Sequence, residues 1–461
     1  VEVRVAIDGL DDDGRGVGHA GGLELHVAGA LPGEQARVRV EHQSPHAARA
    51  WGALLGIDGR PAQERVAPAC PGHGACGGCA LQHLAYPAQL TAKRRLVERA
   101  LAEHAILADL ADLAVDDVVA SPHELHYRNK AKYVVATGAN GELVLGSYAP
   151  GSHRVIDMAG CQVPEEPIDD VARRLRRLLE AERVPAFDER RRQGELRYLI
   201  LRRSAAGALL VVIVTFSPAP RAALGRVARA LPAQAPAVAG VVHHVNPTRG
   251  GALFASDGPA DVTLDGAAAL DDTVGDVALR LSARAFFQVN RAQAARLYAE
   301  AAAAARARPG ARLIDLYAGV GGIALTASLR GADVVGVEIV PAAVDDARRS
   351  AEASGPRHRA RFLVGDAADG LPAAARLLGR VDAIIVNPPR KGLAPAARDA
   401  LLQAAPARLV YVSCGPRSLA VDLAAFVAAG YRVESVRPFD LLPGTPHVET
   451  LVSATRGQPR P

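Results

Sequence analysis

The chain has 461 residues, more than a single core of ordinary size accommodates, so two or three domains are expected. Hydrophobic residues make up 49 % and aromatic ones 4 %, an alanine-rich composition that excludes disorder and favours helices with parallel strands. The formal charge of +5 is compatible with a polyanionic partner, although GC-rich coding enriches Arg with Ala, Gly and Pro as well; nothing approaches the ~18 uninterrupted apolar residues of a membrane span, and no basic stretch leads into the ~7 to 15-residue apolar segment of a secretory leader, so a cytoplasmic protein is expected.

Residues 1–57 alternate apolar and polar in short runs (Val1, Val3, Val5, Ile7; Val38, Val40) between glycine clusters, the pattern of a small OB-like β-barrel. The order Gly22-Leu-Glu-Leu-His-Val27, then Ala30-Leu-Pro-Gly-Glu34, resembles the TRAM domain, a barrel that docks RNA; an anonymous barrel fits the same pattern. Residues 58–275 form a central α+β domain. It opens on Cys70, Cys76 and Cys79, followed by a helix near 87–107 with Leu90, Val97 and Leu101 on one face, which could pack on the next domain. Strands are expected at 132–136 and 209–216, a charged helix at 167–182, and joints near Pro218, Pro247 and Gly258.

From residue 276 to 461, buried strands at 312–317, 332–338, 360–365, 383–386 and 408–413 alternate with alanine-rich helices, the mark of a doubly wound parallel sheet. The first strand runs into Ala318-Gly-Val-Gly-Gly322, a tight turn that opens a helix, but not the Gly-x-Gly-x-x-Gly that cradles a pyrophosphate. The second strand ends on Glu338, a carboxylate suited to two ribose hydroxyls, and Asp366 closes the third near where an adenine would lie. These three strand ends in order resemble the Rossmann-like class I fold that binds S-adenosylmethionine.

Tyr411-Val-Ser-Cys414-Gly-Pro416 puts a cysteine at the carboxyl end of a later strand, where open parallel sheets bind ligands. A buried cysteine packing as a small hydrophobe also fits Val-Ser-Cys, but the Gly-Pro stops the strand and turns the thiol toward the crevice. Asn387-Pro-Pro-Arg-Lys-Gly392 lies beyond another strand, and His447-Val-Glu449-Thr450 lies near the end. With Phe286-Phe-Gln-Val-Asn290 and Asp315-Leu-Tyr-Ala-Gly-Val-Gly321, this ordered set resembles the RNA uracil-C5 methyltransferase family over nearly the whole chain.

The resemblance implies that Cys414 adds to carbon 6 of uracil, activating carbon 5 toward the sulfonium methyl, and that Glu449 then removes the carbon-5 proton. It also implies that Gln288, Tyr317 and Glu338 hold the cofactor. A free thiol ionises near pH ~8.5, so a neighbouring cation such as Arg390 should lower that value. Asn387 departs from the family, which has Asp before Pro-Pro-Arg; Asn keeps the acceptor, loses the charge and adds donors, leaving its contacts to cofactor or uracil open. Amine methyltransferases carry Asn-Pro-Pro and an aromatic, but here Arg390 follows. Cytosine-C5 enzymes use two cysteines in the catalytic domain, whereas only Cys414 lies beyond residue 161.

Cys70-x5-Cys76-x2-Cys79 with the distant Cys161 supplies four thiolates, enough for tetrahedral zinc or a [4Fe–4S] cluster. Spacing does not separate the two; resemblance to iron–sulfur members of the family favours the cluster in a structural role. The partner expected is RNA, ribosomal (23S) rather than transfer RNA by resemblance to members joining a TRAM domain to a cluster, with the target base splayed from a loop. His126-Tyr-Arg-Asn-Lys-Ala-Lys-Tyr133 could serve as a backbone-and-stacking surface or as an ordinary strand edge. A monomer is expected. A non-catalytic RNA-binding or assembly factor retaining the fold is the alternative, and retention of both Cys414 and Glu449 argues against it.

Overall fold

A computed structural model describes residues 1–457 apart from 111–112, 249, 252, 255–258 and 356–357, so the joint expected near Gly258 lies outside the described residues. The first five strands, β1 (Glu2–Leu10), β2 (Gly16–Ala20), β3 (Leu23–Val27), β4 (Gln35–Gln43) and β5 (Arg49–Asp58), close into a barrel in the order β1-β2-β3-β5-β4. Closure follows from two-residue alternation: Val5, Ile7, Leu25, Val27 and Val38 point inward and fill it, leaving no strand edge unpaired.

The cysteine loop leads into α1 (Tyr86–Ala102) and α2 (Ala105–Ala108). Pro87 opens α1, where a missing N–H costs nothing. Val97 and Leu101 are buried against the last domain, in one core with Leu419 and Leu423.

The central sheet runs β12-β11-β10-β9-β6-β7-β8, built from β6 (Lys130–Thr137), β7 (Leu143–Tyr148), β8 (Val155–Asp157), β9 (Leu196–Arg203), β10 (Leu209–Thr215), β11 (Val238–Val245) and β12 (Val262–Gly266). Two helices, α3 (Glu166–Ala181) and α4 (Arg221–Gln234), cover one face through Ile168, Val171, Leu175, Leu224 and Leu231. A hairpin of β13 (Ala269–Val274) and β14 (Val277–Ser282) crosses residue 276.

The last domain contains α5 (Arg291–Ala304), β15 (Arg312–Leu316), α6 (Gly322–Leu329), β16 (Asp333–Glu338), α7 (Pro341–Ala353), β17 (Ala360–Val364), α8 (Ala367–Leu378), β18 (Ala383–Val386), α9 (Pro395–Ala404), β19 (Arg408–Ser413), α10 (Pro416–Ala428), β20 (Tyr431–Phe439) and β21 (Glu449–Arg456). The hairpin packs on it, with the Ser282 N–H donating to Asp346 in α7. The sheet order is β17-β16-β15-β18-β19-β21-β20. Neighbours from β17 to β19 are parallel, and β21 runs antiparallel to both β19 and β20. The five parallel strands match the expected apolar runs. The antiparallel pair has no such signature, since β21 mixes Thr450, Ser453 and Thr455 with its apolar residues.

Arg65, just past the barrel, pairs with buried Glu34 at 2.6 Å, and a single barrel residue ties the barrel to both other domains. Asp12, in the turn after β1, accepts hydrogen bonds from Arg99 of α1 at 2.7 Å and Arg417 of α10 at 2.5 Å. No helix among the described residues is long and apolar enough to cross a membrane.

Candidate active site

The strand order reverses between β15 and β18, so their carboxyl ends diverge and open a crevice, where open α/β sheets place ligands. Tyr317 leaves β15 with φ 62°, a left-handed conformation that costs a non-glycine residue of order 1 kcal/mol and is retained at functional turns. Gly321 caps α6 at φ 87°, and a Cβ there would come 2.7 Å from Phe362, so the turn requires glycine on both counts. The Glu338 carboxylate, at the end of β16, accepts the N–H groups of Gly319 at 3.0 Å and Val340 at 2.9 Å. It therefore already holds the glycine turn while lining the crevice.

Asn387 follows β18 and donates its backbone N–H to Leu316 across the reversal at 3.3 Å, placing it beside the glycine turn. Asp366 is exposed and caps α8, its carboxylate accepting the Ala368 N–H at 2.8 Å. Gln288 lies between the hairpin and α5, its carbonyl accepting from Asn129 at 3.2 Å. Two positions earlier, Phe286 is 73 % exposed. Its ring is thereby accessible for stacking, an exposure that its place in the Phe-Phe-Gln-Val-Asn motif does not reveal.

Cys414 leaves β19 where Gly415 and Pro416 begin α10. Ser413 pairs with Thr450 in the β19–β21 ladder, so Cys414 and Glu449, the next residues outward on each strand, emerge side by side at one sheet end. The thiol is half-buried, not sunk among aliphatic side chains. Burial and the neighbouring Glu449 carboxyl push it up to about 11 against the opposing pull of Arg390. The expected lowering by a cation is thus present but outweighed. Burial pushes Glu449 up to about 8, again opposed by Arg390, and its Oε2 is buried without a partner. A carboxyl kept neutral by desolvation spares the thiolate a like charge, and near pH 8 it is a competent proton acceptor.

The Arg390 loop is fixed from below. Ser418 Oγ donates to the Arg390 carbonyl at 2.8 Å, while buried Asp422 accepts from Tyr411 Oη at 2.6 Å and the Leu393 N–H at 2.9 Å. Asp422 and Ser418 carry no motif and were missed; only their contacts reveal them.

Cys70, Cys76, Cys79 and Cys161 are each half-buried. Among the described residues no group of three or more His, Cys, Asp or Glu side chains that could hold a metal ion occurs. The four thiols nonetheless act on one another: burial, then Cys161, Cys76 and Cys70, push Cys79 up to about 12, with Arg128 opposing. Cys161 is brought across by the Arg128 N–H bonded to the Val163 carbonyl at 3.1 Å. A Cβ on Gly78 would lie 3.4 Å from Cys76 Sγ and one on Gly72 3.7 Å from Cys70 Sγ, both ordinary contact distances.

A 3-2-1-4-5-7-6 sheet, an antiparallel seventh strand and a glycine turn braced by an acid at the end of β16 define the class I methyltransferase fold. A family model described as methyltransferase small domain matches residues 285–412, and one described as tRNA (uracil-5-)-methyltransferase matches residues 377–456. An uncharacterized RNA methyltransferase of Halalkalibacterium halodurans is 35 % identical over 97 % of this chain and 96 % of its own. One of Geobacter sulfurreducens is 35 % identical over 99 % and 90 %. The crystal structure of Pyrococcus abyssi tRNA (uracil-54, C5)-methyltransferase with S-adenosyl-L-homocysteine superposes with a TM-score of 0.75 at 26 % identity, covering 98 % of this chain and 99 % of that one. The chain belongs to the RNA uracil-C5 methyltransferase family.

Proposed function

We propose that this enzyme methylates carbon 5 of a uridine in 23S ribosomal RNA through a covalent adduct on Cys414. The observation that carries the reading is the β19–β21 register, which sets a thiol and a desolvated carboxyl side by side at the mouth of the crevice. S-adenosylmethionine would be held by Gln288, Tyr317, Glu338, Asp366 and Asn387, and supplies an electrophilic methyl group. Its homocysteine product occupies the Pyrococcus structure.

The Cys414 thiolate bonds to carbon 6, and the electron pair of the 5,6 double bond moves into an enolate; carbon 5 takes the methyl as its bond to the sulfonium sulfur breaks, that pair staying on sulfur as the neutral thioether product leaves. Arg390 acts on both Cys414 and Glu449 and is the cation available to offset the enolate charge. Glu449, as carboxylate, then takes the proton from carbon 5. The pair from that C–H bond restores the double bond, the carbon–sulfur bond breaks, and Cys414 leaves as thiolate. Phe286, exposed ahead of Gln288, offers a face on which a splayed base stacks.

Four thiols within electrostatic reach of one another suit a [4Fe–4S] cluster on Cys70, Cys76, Cys79 and Cys161, with zinc as the second possibility. The closed barrel, read as a TRAM domain, would contribute RNA contacts from beside the crevice. Transfer RNA is the second reading of the substrate, favoured by the likeness to a tRNA uracil-54 enzyme. Mapping 5-methyluridine in ribosomal and transfer RNA from cells with and without the protein decides between them: loss from one ribosomal site supports the first reading, loss from transfer RNA the second. In parallel, Cys414→Ala should abolish transfer of labelled methyl while S-adenosylhomocysteine still binds; loss of both would make the thiol a packing residue.

A further inference from the structure

Between β20 and β21 the segment 440–446 carries the chain to Glu449, and besides its own internal bonds and Gln293 it is held by residues of α1, the cysteine loop and Tyr127, all outside its domain. Lys93, on α1, donates through Nζ to Asp440 Oδ1 at 2.5 Å and to the Leu442 carbonyl at 3.1 Å. Both charged side chains are 0 % exposed. Gln89, one turn earlier, accepts the Gly444 N–H at 2.8 Å, and the Gly444 carbonyl accepts from the Leu81 N–H in the cysteine loop at 2.8 Å. Gly444 has φ 76°, and a Cβ there would lie 3.7 Å from Cys79 Cβ. Tyr127 Oη donates to the Pro443 carbonyl at 3.1 Å, and Gln293 of α5 to that of Asp440 at 3.0 Å.

We infer that Lys93 is a positioning residue for the base: through Asp440 and Leu442 it clamps the segment that sets where Glu449 meets the substrate, and the cysteine loop completes the clamp. A fully buried ion pair is a poor device for stability alone, because desolvation offsets most of the attraction and an apolar pair of equal volume does as well. What an apolar pair cannot do is fix a backbone carbonyl and a carboxylate together. The ammonium does both, and five residues after Leu442 the chain reaches His447 and then the base. The inference rests on Glu449 being that base, and it names which step fails: proton removal and release, not thiol addition or methyl transfer.

The test uses the full chain with total RNA from cells lacking the protein and labelled S-adenosylmethionine. The double variant Lys93→Met/Asp440→Leu removes the pair without leaving a buried charge, and Glu449→Gln serves as the reference. After RNase trimming, labelled RNA fragments covalently held by the protein are read on a denaturing gel. The double variant is expected to bind S-adenosylhomocysteine within about twofold of the parent, yet release product about tenfold more slowly relative to methyl transfer, so that labelled adduct accumulates. A residue of merely structural importance would lower the melting temperature without changing that partition.

If Glu449→Gln traps adduct and the folded double variant releases product like the parent, the clamp is refuted and the base assignment stands. If Glu449→Gln traps none, the base assignment falls and takes the clamp with it. Should the double variant not fold, Gln89→Leu, which removes one contact to Gly444, carries the same test with a release defect of about threefold or more, and parental release there refutes the clamp.

Discussion

Replacing Glu449 by Gln should do two things at once, and each is measurable. The folded carboxyl holds its proton to about pH 8, against an ordinary value of 4.5. Between those limits the native state binds a proton that the unfolded chain has lost, so stability contributed by this site falls as pH rises and is lowest above about 8. At about 1.4 kcal/mol per pH unit the gap caps the penalty at about 5 kcal/mol above pH 8 and about 3 kcal/mol at pH 7. These are ceilings, because the residue keeps partial exposure although Oε2 is buried, and because the new amide must itself find partners. Glutamine does not ionise. Thermal melts of parent and variant should therefore nearly coincide at about pH 5 and separate toward pH 8.5, with the variant the more stable. The same variant, given RNA and labelled cofactor, should keep methylated RNA bound covalently. A melting difference that does not change with pH would refute the desolvated carboxyl. Methylation lost with no adduct on a denaturing gel would refute its role as base.

The pH dependence of the parent enzyme offers a check that needs no substitution. Methyl transfer requires a thiolate from a thiol at about 11, and release requires a carboxylate from a group at about 8, so single-turnover transfer should rise across neutral pH about tenfold per unit and release should level off above about 8; flat profiles from pH 6.5 to 9 would show that bound substrate resets both groups. Cys79→Ser removes the sulfur on which all three others act, and should abolish bound iron and sulfide, or bound zinc, by elemental analysis of the purified protein. Parental metal content in that variant would remove Cys79 from the ligand set.

Local chemistry made much of this protein legible in the residues. The apolar runs at 312–317, 332–338, 383–386 and 408–413 became inner parallel strands because a strand buried on both faces is apolar along its length, and the run at 360–365 became the edge strand β17, with Arg361 and Val364 exposed. The glycine turn, Glu338, Asn387 and Cys414 lie at strand ends because each motif sits just beyond such a run. Two-residue alternation likewise marked the barrel. The helix expected near 87–107 is α1 ending at Ala102 and then the short α2, a break no periodicity announced.

Tertiary structure alone decided what those ends meet. The antiparallel pairing of β21 with β19 brings Glu449 to Cys414, and no local pattern in Thr450–Arg456 specifies that partner. It alone sets the balance on the thiol, where burial and Glu449 outweigh Arg390, since desolvation depends on everything packed around a group and not on its sequence neighbours. The same holds for Lys93 and Asp440, 347 residues apart: in the sequence one is a helix lysine and the other a loop aspartate. A residue's type and its local strand or helix follow from nearby atoms, whereas its charge state and contacts are properties of the assembled core.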